Sequence, residues 1–339
     1  MNVNMRRLCA ILAAGVMVLL IANTKTAYIG AKEGISLCLE VIIPSLFPFF
    51  VFSNYLCSAL AGQKLPGINI LGKTLHIPAG SESLLTIGLL GGYPVGAQLI
   101  SESYKNKQID KQTAKILLGY SNNAGPAFIF GIAGTLFSSK WITLSLWMIH
   151  VSSAFITGFL LPRPVISASS HTQERTCSIV QSVRNGISAC SSVCAWVILF
   201  RVLIAYISRL FPCNGTSIGL IVLNGILELS NGCVQLQHIG NHATRYLLCS
   251  FFLAFGGLCV LLQTASVTRN LGLGLYIHGK ILQACISTLL AMIFIPALFP
   301  QSDILHSQYL VLTSVCFVII FLMKRSFKKR GGNQANNHV

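Results

Sequence analysis

The stretch that decides the fold runs from Leu84 to Ile100 and reads LLTIGLLGGYPVGAQLI. Its side chains are apolar enough to enter a lipid bilayer, but Gly91 and Gly92 weaken a helix at its centre, and Pro94 has no backbone N–H to donate. Because lipid cannot hydrogen-bond the backbone groups that such a break frees, the break must lie against protein or a water-filled cavity. The stretch therefore predicts a broken helix that is sheltered inside a membrane protein.

The composition of the chain supports a location in a membrane. Of its 339 residues, 53% are hydrophobic and only 9% are charged, and the mean hydropathy is +0.70. A soluble domain carries about 25% charged residues. The net charge of +16 comes from lysines and arginines between the apolar stretches and in the tail, residues 324–339. Such clusters mark the cytoplasmic side of a membrane, and without a nucleic-acid-binding motif we do not expect nucleic acid as a partner.

Two apolar stretches are interrupted by polar residues, glycine or proline, whereas the others have the length and composition of spans. The predicted spans are 8–22, 35–60, 116–137, 141–161, 186–210, 246–262, 281–299 and 309–323. The interrupted stretches are 84–99 and 218–237. If both crossed fully, the basic loops 101–115 and 162–185 would face outward, against the positive-inside bias. We therefore expect both to be re-entrant hairpins, with two kinked spans as the alternative.

The hairpins give the chain an inverted repeat. The order span, hairpin, span occurs in 35–137 and again, with the opposite orientation, in 186–262, and such repeats are typical of secondary transporters. The sequence thus predicts an all-α polytopic membrane protein with about eight transmembrane helices, two re-entrant hairpins and both termini in the cytoplasm. The predicted parts are an N-terminal anchor or signal-like segment (1–34), a first repeat with a bracing helix (35–161), a cytoplasmic linker (162–185), a second repeat with bracing helices (186–323) and a basic cytoplasmic tail (324–339).

Charged residues within apolar stretches are costly and usually serve a function. Glu40 lies one turn before Pro44, Glu228 lies in the second hairpin, and Arg201 is flanked on both sides by apolar residues in AWVILFRVLIAY. We hypothesise that Arg201 binds a substrate carboxylate through its forked guanidinium group. The alternative is that Arg201 pairs with Glu40, because buried ions are usually paired. Glu40 is then a coupling or structural charge.

Amide side chains accompany the breaks in both halves of the chain. We expect GGYPVGA and LELSNGC to meet near the middle of the membrane, with amides from the adjoining spans closing a site around a small anion; hydrogen bonding between helices is the alternative role for single amides. The predicted substrate-binding residues are Tyr93, Asn122, Asn123, Arg201, Glu228, Asn231 and Gln263. The predicted breaks are at Gly91, Gly92, Pro94, Gly125, Pro126, Gly232, Gly256 and Gly257.

No motif in the sequence indicates an enzyme, a metal site or a cofactor. HExxH and GxxxxGKS are absent, and the 12 cysteines form neither a CxxC pair nor a zinc-spaced cluster with histidine. We therefore expect a membrane protein without catalytic residues, metal or cofactor. Its expected partners are a small anionic substrate and the lipid bilayer, and a homo-oligomer stays open.

Four motifs together resemble those of the sporulation integral membrane protein family, the YlbJ-like group of spore-forming Firmicutes with two nucleoside-recognition Gate domains. The motifs are GLLGGYPVGAQL, SNNAGPAFIFG, GILELSNGC and FGGLCVLLQTAS, in that order, and the resemblance covers residues 34 to 299. It implies a role in spore formation, in which family members are thought to export dipicolinic acid from the mother cell across the outer forespore membrane. Gate domains also occur in nucleoside transporters, so a nucleoside carrier and a non-transporting scaffold for spore maturation are the alternatives.

Dipicolinate is compatible with the predicted site. It is a small planar dianion, and the N-termini of broken helices offer free N–H groups and a positive dipole end. Since Glu40 or Glu228 would repel an anion unless it were protonated, this substrate also suggests coupling to protons.

Overall fold

The computed structural model describes residues 3–60, 72, 74–75, 77, 82–163, 178–210, 217–301 and 311–323. These residues form helices and their connections, without a strand in the ranges given. In chain order the helices are α1 (Val3–Ala22), α2 (Thr24–Leu37), α3 (Ile43–Leu60), α4 (Glu82–Leu90), α5 (Val95–Lys105), α6 (Lys111–Ser121), α7 (Pro126–Gly131), α8 (Lys140–Leu160), α9 (Ile179–Leu210), α10 (Ile218–Leu227), α11 (Leu229–Gln235), α12 (His242–Phe255), α13 (Gly257–Val267), α14 (Gly274–Leu298) and α15 (Val311–Met323).

Five segments of the described chain are long and apolar enough to cross a membrane. They are Thr24–Leu56, Lys140–Leu160, Ile179–Leu210, His242–Val267 and Gly274–Leu298. The predicted span 8–22 lies in α1, and the described part of 309–323 is α15. The predicted span 116–137 is divided between α6, α7 and a 3₁₀ turn, Ala133–Leu136, so it is not one continuous helix. The prediction of an all-α polytopic membrane protein is confirmed.

Helices α2 and α3 form one long element with a π-helical turn, Cys38–Ile42, at their junction. In this turn the N–H of Ile43 bonds to the carbonyl of Cys38, five residues earlier. The turn ends two residues before Pro44, which has no N–H and cannot continue the α-helical ladder. The sequence placed the start of this span at 35, but the helix already begins at Thr24.

Helices α4 and α5 fold back on each other as a hairpin. A Cβ atom built on Gly96 would lie 3.0 Å from the Cα of Gly88, whereas eight residues of continuous helix would separate the two by about 12 Å. The chain reverses between Gly91 and Pro94, and Gly92 has a φ of +73°, in the region that glycine adopts without steric cost. The kinked-span alternative is therefore wrong for this stretch.

Helices α10 and α11 form the second hairpin by the same kind of contact. A Cβ atom on Gly232 would come within 2.2 Å of the Cα of Gly225, although seven residues of helix span about 10 Å. The break lies at Glu228, which has extended backbone angles, whereas Gly232 lies inside α11. The sequence had placed the break at Gly232, but this glycine instead allows the two helices to approach closely. The side of the membrane from which each hairpin enters stays a prediction.

The two halves of the chain repeat one set of contacts. In each half a long helix is followed by a hairpin and then by a broken helix, α6–α7 in the first half and α12–α13 in the second. Helix α13 contacts α5 of the other half, and α11 correspondingly contacts the 3₁₀ turn after α7. Helix α9 packs along α2 and α3, and α8 and α14 pack against both broken helices. These contacts bring the breaks of both halves to the centre of the bundle.

Candidate functional site

The breaks of the first hairpin and of the first broken helix lie against each other. A Cβ atom on Gly92 would lie 3.1 Å from the backbone nitrogen of Gly125. Residues 122–125 have no helical hydrogen-bonding pattern, and Pro126 begins α7, where its missing N–H is not needed. The first hairpin is therefore seated directly on the interruption of its neighbouring helix.

The breaks of the second half join this contact through two consecutive glycines. A Cβ atom on Gly256 would lie 3.1 Å from the Tyr93 hydroxyl, and one on Gly257 would lie 3.3 Å from the backbone nitrogen of Leu229. Both glycines have a φ of +80°, which a residue with a side chain rarely adopts. The break between α12 and α13 therefore touches both hairpins. Gly256 contacts Tyr93 of the first hairpin, and Gly257 contacts Leu229 of the second.

Lys280 of α14 lies at this junction of breaks, with only 2% of its surface exposed. Its ammonium nitrogen lies 3.0 Å from the Tyr93 hydroxyl, 3.0 Å from Asn123 Oδ1 and 2.7 Å from Gln283 Oε1. Gln283 Nε2 donates in turn to Asn123 Oδ1 at 2.8 Å. The nitrogen also lies 5.1 Å from the ring centre of Tyr93 and 6.0 Å from that of Tyr276. We call Lys280, Tyr93, Asn123 and Gln283 the lysine cluster.

The lysine cluster contains no carboxylate. Every hydrogen-bond partner that the described residues provide for Lys280 is a hydroxyl or an amide oxygen. A charged ammonium group left there without a counter-ion would cost several kcal/mol, about the 3–5 kcal/mol that is lost when a buried ion pair is broken. A lysine buried there without a carboxylate is the clearest indication of a functional site in the described part of the chain.

Lys280 was not predicted as a site residue, because it stands just before the predicted span 281–299, where a basic residue marks the cytoplasmic surface of a membrane. The helix begins at Gly274, so that Lys280 lies nearly two turns inside it. A signal was present in the sequence: Tyr276, Lys280, Gln283 and Ser287 follow the spacing i, i+4, i+7, i+11, which places polar groups on one face of a helix. All four are buried.

Asn122 connects three elements around the lysine cluster. Its Nδ2 donates to Thr264 Oγ1 at 3.0 Å and to the Tyr276 hydroxyl at 3.3 Å. Its Oδ1 accepts from the backbone N–H of Ala97 at 3.2 Å. The amide is completely buried, and its three bonds link the break after α6 to the first hairpin, α13 and α14. Asn122 therefore holds the helices around the site in place. This is the role of hydrogen bonding between helices that was the alternative to substrate binding for single amides.

Two other buried side chains close to the junction have polar atoms without a partner among the described residues. Gln263 Nε2 donates to Cys259 Sγ at 3.2 Å, but Gln263 Oε1 has no hydrogen-bond partner among the described residues. Both ring nitrogens of His150 on α8 are likewise unpaired, although its backbone oxygen lies 3.4 Å from Gln283 Nε2. Such atoms are rare in folded proteins and leave capacity for a polar ligand or water.

Glu228 caps α11. Its two carboxylate oxygens accept from the backbone N–H groups of Ser230 at 2.9 Å and of Asn231 at 2.7 Å, and Asn231 Nδ2 donates to the same carboxylate at 2.9 Å. The side chain is 2% exposed. The N–H groups that the sequence analysis assigned to a substrate anion are thus occupied by Glu228 itself, which explains how a carboxylate is accommodated there.

Arg201 lies outside the junction. Its guanidinium pairs with Glu33 of α2 at 2.6 Å, and the two side chains are 23% and 48% exposed. Glu40 instead accepts a hydrogen bond from Ser36 at 2.7 Å on an exposed face. The predicted alternative that Arg201 pairs with Glu40 is therefore wrong, and the structure does not bring Arg201 together with the other predicted site residues.

The helices and the buried junction define a polytopic α-helical membrane protein with a polar site inside the bundle. The chain is 24% identical over 173 residues to the sporulation integral membrane protein YlbJ of Bacillus subtilis (strain 168), a match that covers 50% of this chain and 42% of that protein. The resemblance to the YlbJ-like sporulation proteins, inferred from the four motifs, is confirmed by this similarity. No family model matches the chain, and no solved structure matches it.

Proposed function

We propose that the protein carries a small organic anion across a membrane during sporulation, with dipicolinate as the substrate that the family resemblance implies. The observation that carries this proposal is Lys280, a buried basic side chain with only neutral partners at the junction of the breaks. A carboxylate reaching this nitrogen would supply the missing counter-charge.

The groups around Lys280 fit a planar acid. The lysine nitrogen lies 5.1 Å from the ring centre of Tyr93 and 6.0 Å from that of Tyr276, and aromatic rings so close to the nitrogen could stack on a flat ligand. Asn123 and Tyr93 are the neutral partners that a carboxylate would displace from Lys280. In this proposal Lys280 has the anion-binding role that the sequence analysis gave to Arg201.

The arrangement of the breaks supports a carrier over a rigid channel or an anchor. Two hairpins and two broken helices, related by the predicted inverted repeat, are typical of transporters in which one part moves relative to another around a central site. The lysine cluster connects the first hairpin, the break after α6, and α14, so that an anion competing for Lys280 would loosen the hairpin from α14.

Uptake by proteoliposomes tests the proposal. We expect the purified protein to take up dipicolinate and not uridine. Lys280→Met keeps the length of the side chain, and should lower the uptake at least about tenfold, since a hydrogen bond to a charged group contributes about 1.5–3 kcal/mol. Lys140→Met, at the exposed start of α8, is the matched control and should transport normally.

The alternatives give different results in the same assay. Uptake of uridine without dipicolinate would indicate a nucleoside carrier of the Gate type. Uptake of neither compound by a protein that elutes as a single folded species would indicate a scaffold. Normal dipicolinate uptake by Lys280→Met would show that Lys280 does not bind the transported anion, and would refute the proposal.

A further inference from the structure

The hydrogen-bonding geometry of the lysine cluster carries information about the protonation state of Lys280. A charged ammonium group has three N–H donors and no acceptor, whereas a neutral amine has two donors and one lone pair. Two neighbours of the nitrogen, Asn123 Oδ1 and Gln283 Oε1, can only accept. The third, the Tyr93 hydroxyl, can either accept or donate.

The Tyr93 hydroxyl distinguishes the two states. Tyr93 is 8% exposed, and in the described part of the chain its oxygen has a hydrogen bond only with Lys280. If Lys280 is an ammonium group, Tyr93 must accept from it, and the hydroxyl proton of Tyr93 is left without an acceptor. If Lys280 is a neutral amine, Tyr93 donates to its lone pair and the amine donates to the two amide oxygens. Only the neutral state satisfies every donor and acceptor in the cluster.

The charges on the elements packed against α14 favour the same state. Helices α6, α8 and α12 contact α14, and none of these three helices carries a carboxylate. Their charged and titratable side chains, with those of the first break and of α14 itself, are Lys111, Lys115, Tyr120, Lys140, His150, His242, Arg245, Tyr246, Cys249, Tyr93, Tyr276, His278 and Cys285. Asp110, at the exposed start of α6, already caps that helix. An ammonium group at Lys280 would thus be a buried charge without a counter-ion.

We propose that Lys280 is a neutral amine in the empty site and takes up one proton when a carboxylate binds, so that each anion moves together with a proton. This inference rests on the proposed function. The amine takes up a proton from the solution on the side from which the anion enters, and the resulting ammonium donates to the carboxylate. When the anion leaves on the other side of the membrane, the proton leaves with it, and the amine again accepts from Tyr93.

This assignment replaces the carboxyl groups that the sequence analysis considered for proton coupling. Glu228 accepts three hydrogen bonds as the cap of α11, and taking up a proton would weaken this cap. Glu40 lies on an exposed face of the long α2–α3 element, away from the lysine cluster. Lys280 is the group at the junction whose charge an incoming anion would change.

Nuclear magnetic resonance on the ligand-free protein tests the first half of the proposal. We expect protein labelled with ¹⁵N-lysine to show one neutral amine signal near neutral pH, which is absent from Lys280→Met. An ammonium signal for Lys280 in the empty site would overturn the proposal, whatever the substrate.

Calorimetry of dipicolinate binding in two buffers of different ionisation enthalpy tests the second half. The wild type should take up about one proton per anion. Lys280→Arg should take up none, because guanidinium stays charged at these pH values. Dipicolinate binding by the wild type without proton uptake would overturn proton coupling and leave the proposed function standing. Absence of dipicolinate binding would count against the proposed function, and the resonance experiment would still decide the state of the empty site. Both measurements on the wild type hold even if Lys280→Arg does not fold.

Discussion

A single methyl group at Gly88 should separate the first hairpin from its neighbouring helix. A Cβ atom there would lie 1.9 Å from the backbone oxygen of Ser121, and real Cβ atoms keep at least 3.0 Å, so α4 and α6 would have to move apart by about 1.1 Å. Overpacking of this kind costs about 1–3 kcal/mol. In a straight span the same change, Gly88→Ala, would instead favour the helix by up to about 1 kcal/mol. The two geometries thus predict effects of opposite sign.

Thermal unfolding of the purified protein in detergent measures this sign. Gly88→Ala should unfold at a temperature several degrees below the wild type. It should also lose dipicolinate uptake, because a displaced Ser121 would displace the next residue, Asn122, which positions the site. Gly274→Ala is the matched control, since nothing lies within 4 Å of the Cβ position at the start of α14. If Gly88→Ala is as stable as Gly274→Ala, the hairpin geometry and the site built on it are refuted.

Three further changes test other parts of the structure. Arg201→Gln should leave dipicolinate uptake close to that of the wild type and cost less than about 1 kcal/mol, because the partly exposed pair with Glu33 lies outside the junction; loss of uptake would return Arg201 to the site. Burial raises the pKa of Asp110, but the hydrogen bonds that it accepts from Thr113 and from the first backbone N–H groups of α6 outweigh this and hold the pKa below its usual value. The cap therefore stabilises the fold fully above the unfolded-state pKa and loses its effect as the pH falls through the folded-state pKa. Asp110→Ala should cost about 1 kcal/mol near neutral pH and less in acid, and an equal cost at both pH values would contradict this. A cysteine at Asn106, on the exposed end of α5, should not react with an impermeant reagent added outside intact cells, and reaction would reverse the predicted orientation.

The class of fold and the positions of most breaks could be predicted from the sequence. Apolar stretches of bilayer length and few charges are a strong signal, because lipid imposes helices on any chain that crosses it. Gly92 and Gly256 could be found as well, since each glycine marks a backbone conformation that other residues rarely adopt. The sequence predicted a break at Gly232, whereas the structure has it at Glu228. The two were confused because a glycine can mark either a turn or a close approach of two helices.

The residue that we propose to bind the anion was harder to predict, because its surroundings come from parts of the chain that are distant in sequence. Arg201 lies deeper within apolar sequence than Lys280 does, but its partner Glu33 comes from a segment assigned to an anchor outside the repeats. Lys280 lies next to a polar connection, where basic residues usually mark the membrane surface. Only the tertiary structure, in which α6, α8, α12 and Tyr93 of the first hairpin contact α14, shows that this lysine is buried.

A cryo-electron microscopy structure of the protein with dipicolinate is the most direct test of the central claim that Lys280 binds the transported anion. We expect a carboxylate oxygen of dipicolinate within hydrogen-bonding distance of Lys280 Nζ, with Asn123 or Tyr93 displaced from its present distance of 3.0 Å. Dipicolinate bound at another place, with the lysine cluster unchanged, would contradict the claim.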